Sequence, residues 1–366
     1  MAVNIQTITR YLEQLAPSAY QESYDNSGLI CGNPADEVTG ILCSLDATEA
    51  IVDEAIREGC NLVVAHHPIV FKGLKRITGQ HYVERTVIKA IKHDVAIYAI
   101  HTNLDNVATG VNKKISDIIG LANPRVLAPK PSTLRKLTTF VPPENTEQVL
   151  NALSEAGAGN IGNYKNCSFQ LEGKGTFQPT AEANPHIGEA GKLEHVHENR
   201  VEVLFPAVHT HSVLQTLRAA HPYEEVAYYM HELVNDNQEV GSGMIGELTE
   251  GMKTEEFLTL LKEKMNLPLI RHTALVRSEI KRVAVCGGAG SFLLNNALRE
   301  QADIFITADY KYHEFFDADG KIIIADIGHY ESEIFTKDLL KELLSEKFAN
   351  FAVRTAKTVT NPVRYF

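Results

Sequence analysis

Asn61-Leu62-Val63-Val64-Ala65-His66-His67-Pro68 decides the fold: an unbroken apolar run reads as a strand buried on both faces, and two imidazoles stand at its exit. Burying unpartnered polar rings costs a few kcal/mol each. The exit of a parallel strand is also where open α/β sheets place their ligands, so this pair calls for good hydrogen bonds or a metal.

Working outward, the flanking segments alternate between helical and strand patterns. Toward the N-terminus, residues 48–58 read as a helix, 40–45 and 28–31 as strands, and Ile5, Ile8, Leu12 and Leu15 as the apolar stripe of a first helix. Toward the C-terminus, residues 81–92 read as a helix, 95–100 as a strand and 110–119 as a helix. This βαβ rhythm predicts an α/β fold with a mostly parallel sheet.

The rhythm breaks at residues 123–131, where three prolines fall within nine positions. A different order follows, with strands at 134–141, 164–171, 200–205 and 225–233 and helices at 146–156 and 209–220. That βαββαβ series predicts a ferredoxin-like α+β unit. Its polar stretch 172–198 reads as a long loop or a hairpin extension. Strands at 244–248, 282–286, 303–307 and 322–326 then restore the first rhythm. We therefore expect one α/β domain built from residues 1–128 and 238–366 and interrupted by an inserted domain, 129–237.

Composition narrows the function. The net charge of −11 argues against general nucleic-acid binding and against binding to anionic membranes. No apolar run approaches the ~18 residues needed to span a bilayer, and Met1 to Ile8 lacks a signal pattern, so a cytoplasmic address is expected. The five cysteines include no C-x-x-C pair and read as core thiols.

Two further strand exits supply polar residues of the same kind. His101-Thr102-Asn103-Leu104-Asp105 follows the strand at 95–100. Gly328-His329-Tyr330-Glu331-Ser332-Glu333 follows the strand at 322–326, and His329 and Glu333 share one helix face. His66, His67, Asp105, His329 and Glu333 exceed the needs of one tetrahedral zinc. They suit two divalent cations about 3.5–4 Å apart sharing a carboxylate. Two such ions carry more positive charge than the two carboxylates cancel, which points to a small anionic substrate or ligand. On spacing alone, unrelated polar residues at loop starts explain the pattern equally well.

The motifs Tyr24-Asp25-Asn26-Ser27-Gly28-Leu29, Ser44-Leu45-Asp46-Ala47-Thr48, Ala65-His66-His67-Pro68, His101 to Asp105, Cys286-Gly287-Gly288-Ala289-Gly290 and Gly328 to Glu333 resemble, in this order, the Nif3-like (NIF-three-like) family. Its members are often labelled GTP cyclohydrolase type-two homologues. The resemblance implies a three-layer α/β domain, metal ligation by His66, His67, Asp105, His329 and Glu333, and two divalent ions per chain, with zinc first and iron or manganese accepted by the same donors. It also implies a homohexamer or trimer-based ring. His221-Pro222-Tyr223-Glu224 resembles a CutA segment and implies a PII/CutA-like insert.

The remaining candidates keep two readings each. Gly287, Gly288, Gly290 and Ser291 form either an anion-binding turn or a plain βα turn. Asp309 and His313, at another strand exit, are candidates for proton transfer, with an ordinary helix-start histidine as the alternative. The family pattern more often has Thr-Gly before the acidic residue, and Ala308 departs from it. Asp25, Asn26 and Asp46 are read as turn caps ahead of a ligand-orienting role. His101 is expected near the metals. The His195/His197 and His209/His211 pairs are read as exposed histidines. Two functions follow: a metal-dependent hydrolase acting on a nucleotide or phosphoester, or a metal-handling or regulatory protein without turnover.

Overall fold

The computed structural model describes residues 3–366. The chain forms two compact units, one built from the segment ending at Pro129 together with Gln238–Phe366, the other from Lys130–Asn237.

The first unit opens with α1 (Ile5–Leu15), whose Asn4 side chain accepts from the Thr7 amide and whose Ile5, Ile8 and Leu12 are buried. β1 (Gly28–Cys31), β2 (Ile41–Ser44), α2 (Glu49–Arg57), β3 (Leu62–Ala65), α3 (Tyr82–Lys92), β4 (Ala96–Ala99), α4 (Thr102–Asp105), α5 (Val111–Ile119) and β5 (Ala122–Pro129) follow. Thr48 caps α2, with Glu49 in its first turn and Arg57 in its last, as the helix dipole favours. Gly120, at φ 93°, ends α5 in the left-handed conformation.

The second unit comprises β6 (Leu134–Val141), α6 (Thr146–Glu155), β7 (Phe169–Phe177), β8 (Glu194–Pro206), α7 (Thr210–Ala220) and β9 (Tyr228–Leu233). Its antiparallel sheet runs β7-β8-β6-β9, the ferredoxin-like order, over a core of Leu137, Val149, Val201, Phe205, Val213 and Leu217. The stretch read as loop or extension is both: β7 and β8 pair without a break from Phe169↔Glu202 to Phe177↔Glu194, and residues 178–193 loop between them.

The first unit resumes with β10 (Gly241–Lys253), α8 (Thr254–Lys264), β11 (Arg271–His272), β12 (Glu279–Ala289), α9 (Leu294–Arg299), β13 (Ile304–Ala308), β14 (Ile323–Asp326), α10 (His329–Glu333), α11 (Thr336–Lys347) and β15 (Val353–Thr355). Its strands form two sheets. One runs β1-β4-β3-β2-β15, parallel except for β1; the other runs β11-β14-β13-β12-β10-β5, with β12, β13 and β14 parallel. Val63, Ile97, Leu42 and Ile51 pack one core, and Phe305, Ile324, Ile245 and Leu294 the other.

Two expectations need correction. The proline-marked break at 123–131 is largely strand β5, which pairs only with β10 at a sheet edge, where a missing amide hydrogen leaves no ladder bond unmade. The strand expected from Tyr164 begins at Phe169, because residues 159–167 turn back on themselves, with the Cys167 amide donating to the Gly159 carbonyl.

Candidate metal centre

Parallel strands present their chemistry at their carboxyl ends, and here two sets of such ends meet within the first unit. Asp46 lies just past β2, His66 and His67 directly follow β3, and His101 follows β4, with Asp105 closing α4. From the other sheet, Asp309 follows β13, and His329 and Glu333 occupy α10 beyond β14. The turn into α10 is held by Asp326, which is buried and accepts from the amides of Gly328 (3.1 Å) and Tyr310 (3.0 Å).

Glu333, 3% exposed, lies at the centre. Its Oε2 is 2.9 Å from His67 Nε2 and 3.1 Å from His329 Nε2, while its Oε1 faces His66 Nε2 at 3.9 Å. His66 Nε2 is also 3.6 Å from Asp105 Oδ1. Both of those atoms are buried and lack a hydrogen-bond partner. Orphaned buried polar atoms cost about 1–3 kcal/mol each. A lone pair and a carboxylate oxygen, facing one another slightly beyond hydrogen-bond range, are the surroundings a cation satisfies. His66/Asp105/Glu333 and His67/His329/Glu333 each gather their donor atoms within 4.8 Å, as do His66, His67 and His101. The donor chemistry and this orphaned pair therefore fit divalent metal binding.

Each imidazole is held from behind. His66 Nδ1 donates to the Ile100 carbonyl (2.9 Å), and the Nδ1 atoms of His67, His101 and His329 meet Asp46 (2.8 Å), Asp25 (2.8 Å) and Asp309 (2.7 Å). These partners hold the Nδ1 atoms outward and turn the Nε2 atoms toward the centre, the usual support for metal-ligating histidines. Asp25 and Asp46, expected chiefly to cap turns, thus orient rings; Asp25 also caps as expected, accepting from the Asn26 amide at 2.7 Å and the Thr102 amide at 3.0 Å.

The electrostatics follow from these contacts. Burial pushes the pKa of His66 down to about 4. Burial also depresses His67 and His329, but their carboxylate partners outweigh it and lift them to about 9 and about 11. Burial and the nearby Glu333 charge raise Asp105, whereas the surrounding imidazoles hold Glu333 low despite its burial.

Asp309 adopts a left-handed φ of 58°, and this turn aims its carboxylate at His329; Ala308 remains a buried residue of β13. His313 is exposed, with its ring against Tyr312 and Phe316, and is absent from the cleft lining. In the glycine turn, the Gly287 amide donates to Asn112 Oδ1 (2.9 Å) and the Gly288 amide to Ser332 Oγ (3.0 Å), so both are already engaged. Ser291 opens a short helical turn beyond β12. What the turn provides is room: a methyl on Gly288 would lie 2.4 Å from Glu333 Oε1.

The centre opens into a cleft of about 970 Å³ lined by apolar residues such as Tyr24, Phe71 and Phe292, with Lys72 among them. Cys286, read only as a core thiol, also lines it, and its place directly before the glycine pair was the available signal. Among the described residues no helix is long and apolar enough to cross a membrane.

Comparison with known proteins places these features in context. The family model described as Duf34/NIF3 (NGG1p interacting factor 3) matches residues 3–362. The chain is 39% identical over 368 residues to a "GTP cyclohydrolase 1 type 2 homolog" of Halalkalibacterium halodurans, covering 99% of each chain. It is 38% identical to the protein of the same description from Bacillus subtilis, covering 100% of this chain and 99% of that one. The crystal structure of a Bacillus cereus protein related to NIF3 superposes with a TM-score of 0.87 at 36% identity, covering 100% of both chains.

Proposed function

The chain belongs to the Duf34/NIF3 family, and from that premise we propose that it is a metal-dependent hydrolase acting on a nucleotide or phosphoester, with His66, His67, Asp105, His329 and Glu333 holding two divalent ions. The observation that carries the reading is the position of Glu333. Its two oxygens face different donor sets, Oε1 toward His66 and Asp105, Oε2 toward His67 and His329. A carboxylate so placed could supply one oxygen to each of two ions.

Divalent ions held by these residues would supply water of lowered pKa and positive charge against a developing oxyanion. The protein's own residues do the rest. Asp46, Asp309 and the Ile100 carbonyl fix the imidazole tautomers. Phe71 and Phe292 offer apolar surface at the cleft, and Lys72 adds positive charge for an anionic substrate. Asp309, through its contact with His329, replaces His313 as the stronger candidate for a proton-handling role.

The test loads purified protein with zinc, manganese or iron and assays GTP, other nucleotides and generic phosphoesters beside Glu333→Ala. Turnover that disappears in the variant is expected. Stoichiometric metal retention with no turnover on any of these substrates would overturn hydrolysis and favour a metal-handling role.

A further inference from the structure

The segment that follows β15 crosses the site, and nothing in the ligand set accounts for it. After Ala356, whose amide donates to the Cys43 carbonyl at 2.8 Å, the chain leaves the sheet edge. The amides of Lys357 and Thr358 donate to the two carboxylate oxygens of Glu54 at 2.7 and 2.9 Å. Glu54 is 4% exposed, a buried acid on α2 that the hydrolytic reading leaves unused. A carboxylate receiving two adjacent amides, with the Thr358 side chain besides, fixes where this segment leaves the sheet.

Two residues further on, the Thr360 hydroxyl donates to Asp46 Oδ2, while Asp46 Oδ1 holds His67 Nδ1 at 2.8 Å. Asn361 Nδ2 then donates to Glu331 Oε1 at 3.0 Å, on the same short helix as His329 and Glu333. Thr360 and Pro362 line the main cleft; Asn361, Val363 and Tyr365 line a second cavity of about 390 Å³ that shares His67 and His329 with the first. The segment therefore touches the supports of two imidazole-bearing elements at once, from a side the glycine turn does not reach.

We propose that residues 357–365 are a strap that completes the metal centre, with Thr360 a positioning residue that acts through Asp46 to fix His67, an inference that rests on the metal reading above. An aspartate held at one oxygen only is free to rotate about its side-chain bonds. Held at both, it offers His67 a single acceptor direction, and His67 keeps its Nε2 turned toward Glu333. A carboxylate bonded directly to a ligand imidazole, as Asp46 is, typically alters metal affinity by about 10–100-fold, and Thr360, one bond further out, acts on a part of that.

The experiment titrates Co²⁺ into the metal-free full-length chain, following heat and visible absorption, for wild type, Thr360→Val and Thr360→Ser. Thr360→Val is expected to weaken one class of site by up to about 10-fold, the low end for loss of a direct partner, and to alter the cobalt spectrum, and Thr360→Ser to restore both. In an Asp46→Asn background Thr360→Val should add less than about 2-fold, since the hydroxyl works through that carboxylate. The metal-free melting temperature should be alike in Thr360→Val and Thr360→Ser. Wild-type affinity and spectrum in Thr360→Val, an undiminished effect in the Asp46→Asn background, or a metal-free melting temperature lowered as far as the loaded one would overturn the strap. A wild-type chain that takes up no Co²⁺ would instead overturn the metal reading itself, and the strap with it.

Discussion

At the residue scale the centre is a contest for protons. His67 and His329 are drawn to the same Glu333 oxygen with their Nε2 atoms 3.4 Å apart, and both rings hold a proton well above the ordinary histidine range in the metal-free chain. A metal replaces those protons. Loading between pH 7 and 8 should therefore release about one proton from each of these two rings, read by calorimetry in buffers of different ionisation enthalpy. Zero release at pH 7 would contradict it. The sign for stability is fixed by the same shifts. Groups whose folded pKa lies above the unfolded value of 6.5 stabilise fully below that pH and lose their contribution as pH rises through about 9 for His67 and about 11 for His329. These two rings thus favour a lower melting temperature of the metal-free chain at pH 10 than at pH 7, an offset the loaded chain lacks.

Elements place these residues by simple means. Adjacent parallel strands deliver Asp46, His66 and His101 to one edge because they share direction, and an i, i+4 spacing on α10 sets His329 and Glu333 side by side. β12 runs on through Gly288, whose φ of 59° and missing side chain let α10 lie against it. A Cβ there would stand 2.4 Å from Glu333 Oε1 and 3.2 Å from His329 Cε1. Gly288→Ala should cost about 1–2 kcal/mol from the left-handed backbone alone, seen as a lower denaturation midpoint. It should also displace Glu333 and weaken metal binding; unchanged affinity in a folded Gly288→Ala protein would show that the carboxylate has room to move.

On the scale of the whole molecule, among the described residues every group of three or more candidate donors lies in the unit that resumes at Gln238, and none in Lys130–Asn237. A ligand stabilises only the structure it binds, by about 4 kcal/mol at a thousandfold excess over its dissociation constant. Differential scanning calorimetry with zinc and then with a chelator should shift one transition and leave a second, assigned to residues 130–237, where it was. A single transition that moves as a whole would show that the two units unfold together.

The sequence by itself determined the strands that carry the site, since unbroken apolar runs such as Leu62–Ala65 have one low-energy environment, and it determined the ferredoxin-like order of residues 134–233, because period and length separate strands from helices there. It also singled out His66, His67, Asp105, His329 and Glu333, which stand at strand exits where polar residues demand an explanation. Only the tertiary structure decided that Asp46 orients a ring and that Asp25 does so as well as capping its turn, that Gly288 makes room for a carboxylate, that a proline-rich stretch is an edge strand, and that Thr360 reaches Asp46. Those outcomes depend on contacts across the chain, more than 300 residues apart for Thr360 and Asp46, and local propensity carries no term for a partner so distant.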